Sequence, residues 1–236
     1  MDINRISYND ERTIDYYSAF NDHGLFSFEK SIIEKYFVGK KVIDIGCGTG
    51  RTTYPLHVMG FDVIGIDYSE GMIKRALQKY PQIRFETGSC LHMRFEDASF
   101  DNALFSFNGL MLERDYEVRK KMLSEIYRVL LPGGIFFFTT PYMDNKFNRG
   151  YWKEKAEKEN LDLSQKRDKM LLGDDTTDED GVTFFLHIPF CDEIEEMIRE
   201  TGFTCISKGS RLDDFGEEKA KTEDELDDNY YWVVRK

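Results

Sequence analysis

Cysteine is scarce in this 236-residue chain, and the four present, Cys47, Cys90, Cys191 and Cys205, lie far apart without a C-x-x-C pair. That spacing supplies no ligand set for a zinc site or an iron–sulfur cluster, so the thiols are read as free and no metal is expected. Also lacking is any apolar run of the about 20 residues that a membrane-crossing helix needs. The first residues, MDINRISYNDERTIDYY, are polar and acidic, without the apolar centre or cleavage site of a secretory signal, and the cytoplasm is the expected location. Positive charge is in deficit, 32 Lys and Arg against 44 Asp and Glu, a formal net charge of −12. Nucleic-acid affinity depends on Lys and Arg neutralising phosphates, so the deficit disfavours such a partner. No internal repeat is visible, and the length suits one domain able to bury a full core.

What the chain does have is a glycine-punctuated strand, KVIDIGCGTGR, from Lys41 to Arg51. Val42, Ile43 and Ile45 are β-branched and closely spaced, as in a strand buried between two layers. Gly46, Gly48 and Gly50 then force a tight turn, and the helix expected to start near Gly50 points its positive end at the same place. Such a turn lets backbone N–H groups approach a bound ligand. The spacing is G-x-G-x-G rather than the G-x-G-x-x-G of dinucleotide folds, and an acid, Asp44, lies inside the strand. A second strand, Phe61 to Ile66, ends on Asp67 about 20 residues after the glycines, where a carboxylate can accept both hydroxyls of a ribose.

Taken in order, VIDIGCGTGR, VIGIDYSEGMI, FDNALFSFNGLM and the LLPGG of Leu130 to Gly134 resemble the class I S-adenosylmethionine-dependent methyltransferases, well from Phe37 to Thr140 and loosely elsewhere. The resemblance implies an α/β fold with a Rossmann-like, doubly wound, seven-stranded sheet, mostly parallel with an antiparallel terminal strand. It implies S-adenosyl-L-methionine as cofactor, held by Asp44, Gly46, Cys47, Gly48, Gly50, Asp67, Tyr68, Met72, Ser89, Cys90 and Phe107, with Tyr17 or Tyr16 from an aromatic leader at the methionine end. Gly88-Ser89-Cys90 departs from the pattern. Relatives carry an aspartate there to receive the adenine amino group, and Ser89 can accept only as a neutral, shorter partner. Ser106-Phe107-Asn108-Gly109 likewise lacks the Asn or Asp, Pro-Pro and aromatic of relatives that methylate amides or DNA amino groups. The missing cysteine cluster argues against radical chemistry with the same cofactor.

Within one domain over 1–236, residues 1–37 read as a helical cover, 38–140 as the cofactor-binding core, 141–181 as a charged insertion after the fifth strand, and 182–236 as C-terminal strands and a helix. Helices are predicted from Thr52 to Met59, starting late because Pro55 lacks an N–H, and after Ser69 along Met72, Ile73, Ala76, Leu77 and Tyr80. Others are predicted from Asp115 to Leu130 and from Asp192 to Thr201. Further strands are predicted at Ile83 to Thr87, Asn102 to Phe107, Ile135 to Thr140, Val182 to Ile188, Phe203 to Lys208 and Tyr230 to Val234. In the insertion, Trp152 to Lys169 reads as a charged helix, and the charge argues against a packed core of its own. Its aromatics, Tyr142, Phe147, Tyr151 and Trp152, make it a candidate cover over an acceptor, and Asp213 to Asp228 reads as an acidic loop.

Methyl transfer from a sulfonium is an in-line displacement in which positioning does most of the work. No residue pair announces a general base, so no catalytic residue is assigned, and Tyr142, Trp152 and His187 are the acceptor-side candidates. The expected function is S-adenosylmethionine-dependent methylation of a small-molecule acceptor. Two alternatives stay open. One is a nicotinamide-dependent oxidoreductase, against which the glycine spacing and the LLPGG turn count; the other is a non-catalytic S-adenosylmethionine-binding protein, for which Ser89 is the hint. The acceptor, the attacking atom and the oligomeric state are not encoded in any motif.

Overall fold

Runs of branched and aromatic residues bounded by turns form most strands of the computed structural model, which describes residues 3–143, 149–179, 181–215 and 229–236. The strands are β1 (Lys41–Ile45), β2 (Asp62–Asp67), β3 (Arg84–Thr87), β4 (Phe100–Phe105), β5 (Leu130–Thr140), β6 (Asp174–Glu179), β7 (Val182–His187), β8 (Thr204–Ser210) and β9 (Tyr230–Arg235). Seven make one sheet in the order β3-β2-β1-β4-β5-β9-β8. β1 to β5 are parallel, and β9 lies antiparallel between β5 and β8. The order reverses direction at β1 and β4, the place where open α/β sheets leave a crevice beyond the strand ends.

Helices α1 (Ile3–Ser7), α2 (Glu11–Phe20) and α3 (Ser27–Tyr36) precede the sheet; α4 (Thr53–Val58), α5 (Glu70–Lys79) and α6 (Tyr116–Val129) connect its strands. Farther on come α7 (Arg149–Glu159), α8 (Lys166–Gly173), α9 (Cys191–Glu200) and α10 (Arg211–Phe215). Alternation along the strands sorts the core into two layers. Val42, Val63, Leu104, Phe137 and Val233 face Ile32 and Ile33 of α3, Leu56 of α4 and Ile73 of α5. Ile43, Ile64, Ala103, Phe136 and Trp232 face Leu123 and Ile126 of α6 and Ile194 and Met197 of α9. Ser69 and Asp115 cap α5 and α6, accepting from the backbone N–H of Met72 and of Glu117 and Val118. Among the described residues no helix is long and apolar enough to cross a membrane.

Several boundaries differ from the sequence reading for identifiable reasons. α4 does not start late: Pro55 is its third residue, and the first four helical N–H groups have no intrahelical partner to lose. β4 stops at Phe105, because Phe107 and Asn108 both take positive φ, 57° and 64°, and turn the chain into a 3₁₀ turn at Gly109–Leu112. The stretch 182–188 is not in the main sheet. β7 pairs with the acidic β6 as a separate antiparallel hairpin. The insertion has a small core of its own, in which Met143, Trp152, Ala156 and Leu172 pack with Leu161, Leu163, Ile188 and Phe190. Its single predicted helix is two, α7 and α8. Phe147 and most of the acidic loop predicted at 213–228 lie outside the described residues.

Candidate active site

β1 delivers the chain to a turn that only glycine can make. Gly46 has φ 62°, and a Cβ there would meet the Phe105 ring at 2.6 Å. At Gly48, φ 53°, a Cβ would meet nothing within 4 Å, so the peptide faces open space. That space is a cavity of about 490 Å³ beyond the carboxyl ends of β1 to β4, within the size range of small-molecule sites. Behind the turn, Asp44 accepts from the hydroxyls of Thr52 (2.7 Å) and Thr53 (2.6 Å), tying the start of α4 to β1. Burial pushes the Asp44 carboxyl up to about 6, with the two hydroxyls pulling the other way.

Asp67, at the end of β2, is buried, and its two oxygens accept from the backbone N–H of Gly48 (2.9 Å) and of Ser69 (2.8 Å). Burial raises its carboxyl to about 6 against the lowering effect of those N–H groups. Each oxygen keeps a lone pair for a further donor. Met72, Thr87, Gly88, Ser89, Cys90, Leu91 and Met122 make a largely apolar wall on one side. Ser89 Oγ is engaged locally, accepting from the backbone N–H of Leu91 at 3.2 Å.

Aromatic residues of the leader close the other side. Tyr8, Tyr17 and Phe20 line the cavity together with Tyr68 and Phe107. Ring centroids are 6.3 Å apart for Tyr17 and Phe107, 5.5 Å for Phe20 and Phe107, and 6.3 Å for Tyr8 and Tyr68. The leader is latched to the glycine turn. Asn21 donates to the Thr49 carbonyl (2.7 Å) and accepts from the Thr49 hydroxyl (2.9 Å). Glu29 of α3, fully buried, takes both ends of the Arg51 guanidinium at 2.8 Å and also accepts from the Ser106 hydroxyl and the Phe26 N–H. Burial drives the Glu29 carboxyl upward, but the Arg51 charge and these hydrogen bonds outweigh it and the net shift is down.

Of the residues expected at the cofactor, Gly46, Cys47, Gly48, Asp67, Tyr68, Met72, Ser89, Cys90, Phe107 and Tyr17 share the cavity wall. Asp44 and Gly50 are behind the turn and do not line it; a Cβ on Gly50 would press on the Phe85 and Tyr80 rings at 3.1 Å. Tyr16 is exposed. The three acceptor-side candidates are all off the wall. Tyr142 packs on Tyr230 at 5.1 Å, and Trp152 is in the core of the insertion. His187 is buried between carboxylates, Nδ1 at 2.9 Å from Asp174 and Nε2 at 3.1 Å from Glu193, so its surroundings hold it as an imidazolium rather than offer it to a ligand. Burial opposes its charge, yet the hydrogen bonds to Asp174 and Glu193 leave its pKa raised.

Sequence reasoning missed Asn4, Tyr8, Asn21, Glu29 and Arg51. Arg51 stands beside the third glycine, the one signal available; the others act through partners distant in sequence.

A doubly wound sheet, a glycine turn at its switch point and a buried acid at the end of β2 define a Rossmann-like domain. Residues 42–134 match the methyltransferase domain family. Demethylmenaquinone methyltransferases of Renibacterium salmoninarum and Paenarthrobacter aurescens are 40% identical over 96 and 97 residues, each match covering 41% of this chain. The chain spans 39% and 37% of the length of those curated relatives. A crystal structure of an S-adenosylmethionine-dependent methyltransferase from Methanosarcina mazei superposes with TM-score 0.71 at 21% identity, covering 90% of this chain and 98% of the other. One from Clostridium acetobutylicum gives 0.61 at 14% identity, covering 93% and 91%. The chain therefore has the fold of these solved S-adenosylmethionine-dependent methyltransferases, and its 42–134 segment matches the methyltransferase domain family.

Proposed function

We propose that this protein transfers the methyl group of S-adenosylmethionine to a small-molecule acceptor. The observation that carries the reading is the cavity in which the open face of Gly48 and the buried Asp67 carboxylate stand side by side beneath an aromatic roof. When bound, the cofactor supplies an electrophilic methyl carbon on a sulfonium. Asp67 would accept the ribose hydroxyls, the turn at Gly46 and Gly48 would let the backbone close on the amino-acid tail, and Met72 and Leu91 would cover the adenine. Ser89, being neutral, would contribute little there, leaving adenine to the apolar wall and the Cys90 N–H. Tyr8, Tyr17, Phe20 and Phe107 would exclude water and narrow the line along which a lone pair reaches the methyl. Catalysis in this reading rests mainly on positioning. The relatives named for demethylmenaquinone support a small organic acceptor. In this reading residues 3–37 are the cover, and the 141–181 insertion acts on it from behind, through β6 and β7.

Calorimetry with S-adenosylhomocysteine tests the cofactor half. Removing a hydrogen-bonded charge costs about 1.5–3 kcal/mol, so Asp67→Ala is expected to weaken binding roughly ten- to a hundredfold. Unchanged affinity in that variant would remove Asp67 from the ribose site. A screen of small phenols, amines and quinols with methyl-labelled cofactor tests the rest, and tight binding without turnover on any of them would favour a non-catalytic binder.

A further inference from the structure

Arg51 is placed where a cation is not favoured, just ahead of α4, at the positive end of a helix. It is nonetheless buried, with 9% of its surface exposed. Its guanidinium ties three segments together: Nη1 donates to the Gly24 carbonyl at 2.7 Å, Nη1 and Nη2 to Glu29 at 2.8 Å each, and Nη2 to the Ser106 hydroxyl at 3.1 Å. The flat faces are also used, since Cζ is 4.6 Å from the Phe26 ring centre and 5.5 Å from that of Phe107. Phe107 lines the cavity immediately after β4 with φ 57°, a backbone state that a residue with a side chain holds only when its surroundings enforce it. A buried ion pair adds little net stability over apolar groups of the same volume, because desolvation offsets the attraction. The ion pair's net stability alone therefore does not account for the arrangement.

We propose that Arg51 is a positioning residue for the transfer step: clamped by Glu29, it holds Phe107 in the left-handed conformation and so sets the cavity wall at the end of β4, where an acceptor approaches. The proposal rests on the methyl-transfer reading of this cavity. It also separates Arg51 from the cofactor's own carboxylate, because Glu29 already occupies both arms of the fork.

The test is Arg51→Lys, which keeps the charge but loses the fork and the flat face, with Glu29→Gln as a second variant. In the crystal structure of Arg51→Lys, Phe107 is expected to leave the left-handed region and its ring to shift. S-adenosylhomocysteine and 5′-methylthioadenosine, which lacks the amino-acid tail, are expected to bind within about threefold of wild type. On an acceptor found in the screen, kcat should fall about tenfold or more with KM for the cofactor little changed. Phe107 unmoved in folded Arg51→Lys protein overturns the proposal. A selective loss of S-adenosylhomocysteine relative to 5′-methylthioadenosine also overturns it, by making Arg51 a direct partner of the tail. If wild type binds neither nucleoside, the methyltransferase reading fails, while the position of Phe107 still reports on Arg51. If Arg51→Lys does not fold, Glu29→Gln gives the same crystallographic readout.

Discussion

In the proposed reading, Asp67 concentrates the chemistry of the cofactor side in one carboxylate. In the free protein its pKa is about 6, raised by burial. A group whose folded pKa lies above its unfolded value stabilises the fold below the unfolded pKa and loses that contribution as pH rises through the folded one. Asp67, and Asp44 behind it with the same value, therefore stabilise the free protein most below about pH 4 and lose that contribution by the time pH passes about 6. A ribose diol donates to the ionised form and would bring the Asp67 pKa back down. Binding must then strengthen with pH up to the folded pKa and level off above it. Affinity for S-adenosylhomocysteine is expected to be about tenfold weaker at pH 5 than at pH 7.5, the ratio set by the ionised fraction. Calorimetry at the two values checks this, with Asp67→Asn as the control in which the difference should vanish. A flat profile in the wild type would mean that Asp67 does not meet the diol.

At the scale of elements, the hairpin of β6 and β7 is fastened by an ionic cluster as well as by its buried Val182 and Phe185. His187 of β7 lies between Asp174 of β6 and Glu193 of α9, and Glu193 also takes the buried Arg119 of α6 at 2.7 Å. Arg114 approaches Asp174 at 3.6 Å, and Lys155 of α7 donates to the Asp174 carbonyl at 3.2 Å. Both ring nitrogens of His187 face carboxylates, so the imidazolium is the form that satisfies them. With its pKa raised, the His187 contribution is fully present below the unfolded value of 6.5 and is lost as pH rises through the folded one. Amide exchange across 174–187, corrected for its intrinsic pH dependence, is expected to show less protection at pH 9 than at pH 6.5. His187→Gln should remove that difference, and equal protection in the wild type would count against the cluster as the fastening. The same hairpin shows why parts of the fold could be read in the sequence and parts could not. β1, β2 and β5 are buried on both faces, so their composition alone announces them. β6 reads DDTTDE and has no apolar face to betray it; it becomes a strand only because β7 is there to pair with. His187 was legible as a residue with a role but not as which role, because its partners Asp174 and Glu193 come from different elements. The glycine turn and Asp67 were legible because turn chemistry and spacing are local. Glu29 and Arg51 were not, since 22 positions separate them and either alone reads as surface charge.

Across the whole molecule, one side chain links the pieces that the cavity needs. Asn4 of α1 is buried; its amide donates to the carbonyls of Leu112 (2.8 Å) and Phe185 (2.9 Å), and its oxygen accepts from the Phe185 N–H (2.8 Å). It thus pairs with β7 as a neighbouring strand would, while holding the turn that follows β4. Ser7 adds a bond from the same helix to the Thr183 carbonyl (2.5 Å), and Tyr8, next in the chain, packs against Phe184 at 5.4 Å and lines the cavity. The β6–β7 hairpin, leader and site are mechanically continuous through this helix, and Asn4 itself lines the cavity, so its loss should be felt at the wall. Asn4→Ala leaves a buried N–H and its carbonyl partners unsatisfied, at about 1–3 kcal/mol per group. Urea unfolding is expected to show a loss of about 2–3 kcal/mol, equivalent to roughly 5–10 °C in Tm for a chain of this size. Because Tyr8 loses its backing, S-adenosylhomocysteine affinity should fall by about three- to tenfold, on the order of 1 kcal/mol. Ile6→Ala, on the exposed side of the same helix, should leave both quantities unchanged. Stability lost in Asn4→Ala with affinity intact would show that α1 supports the fold without shaping the cavity, and the leader could then no longer be regarded as its cover.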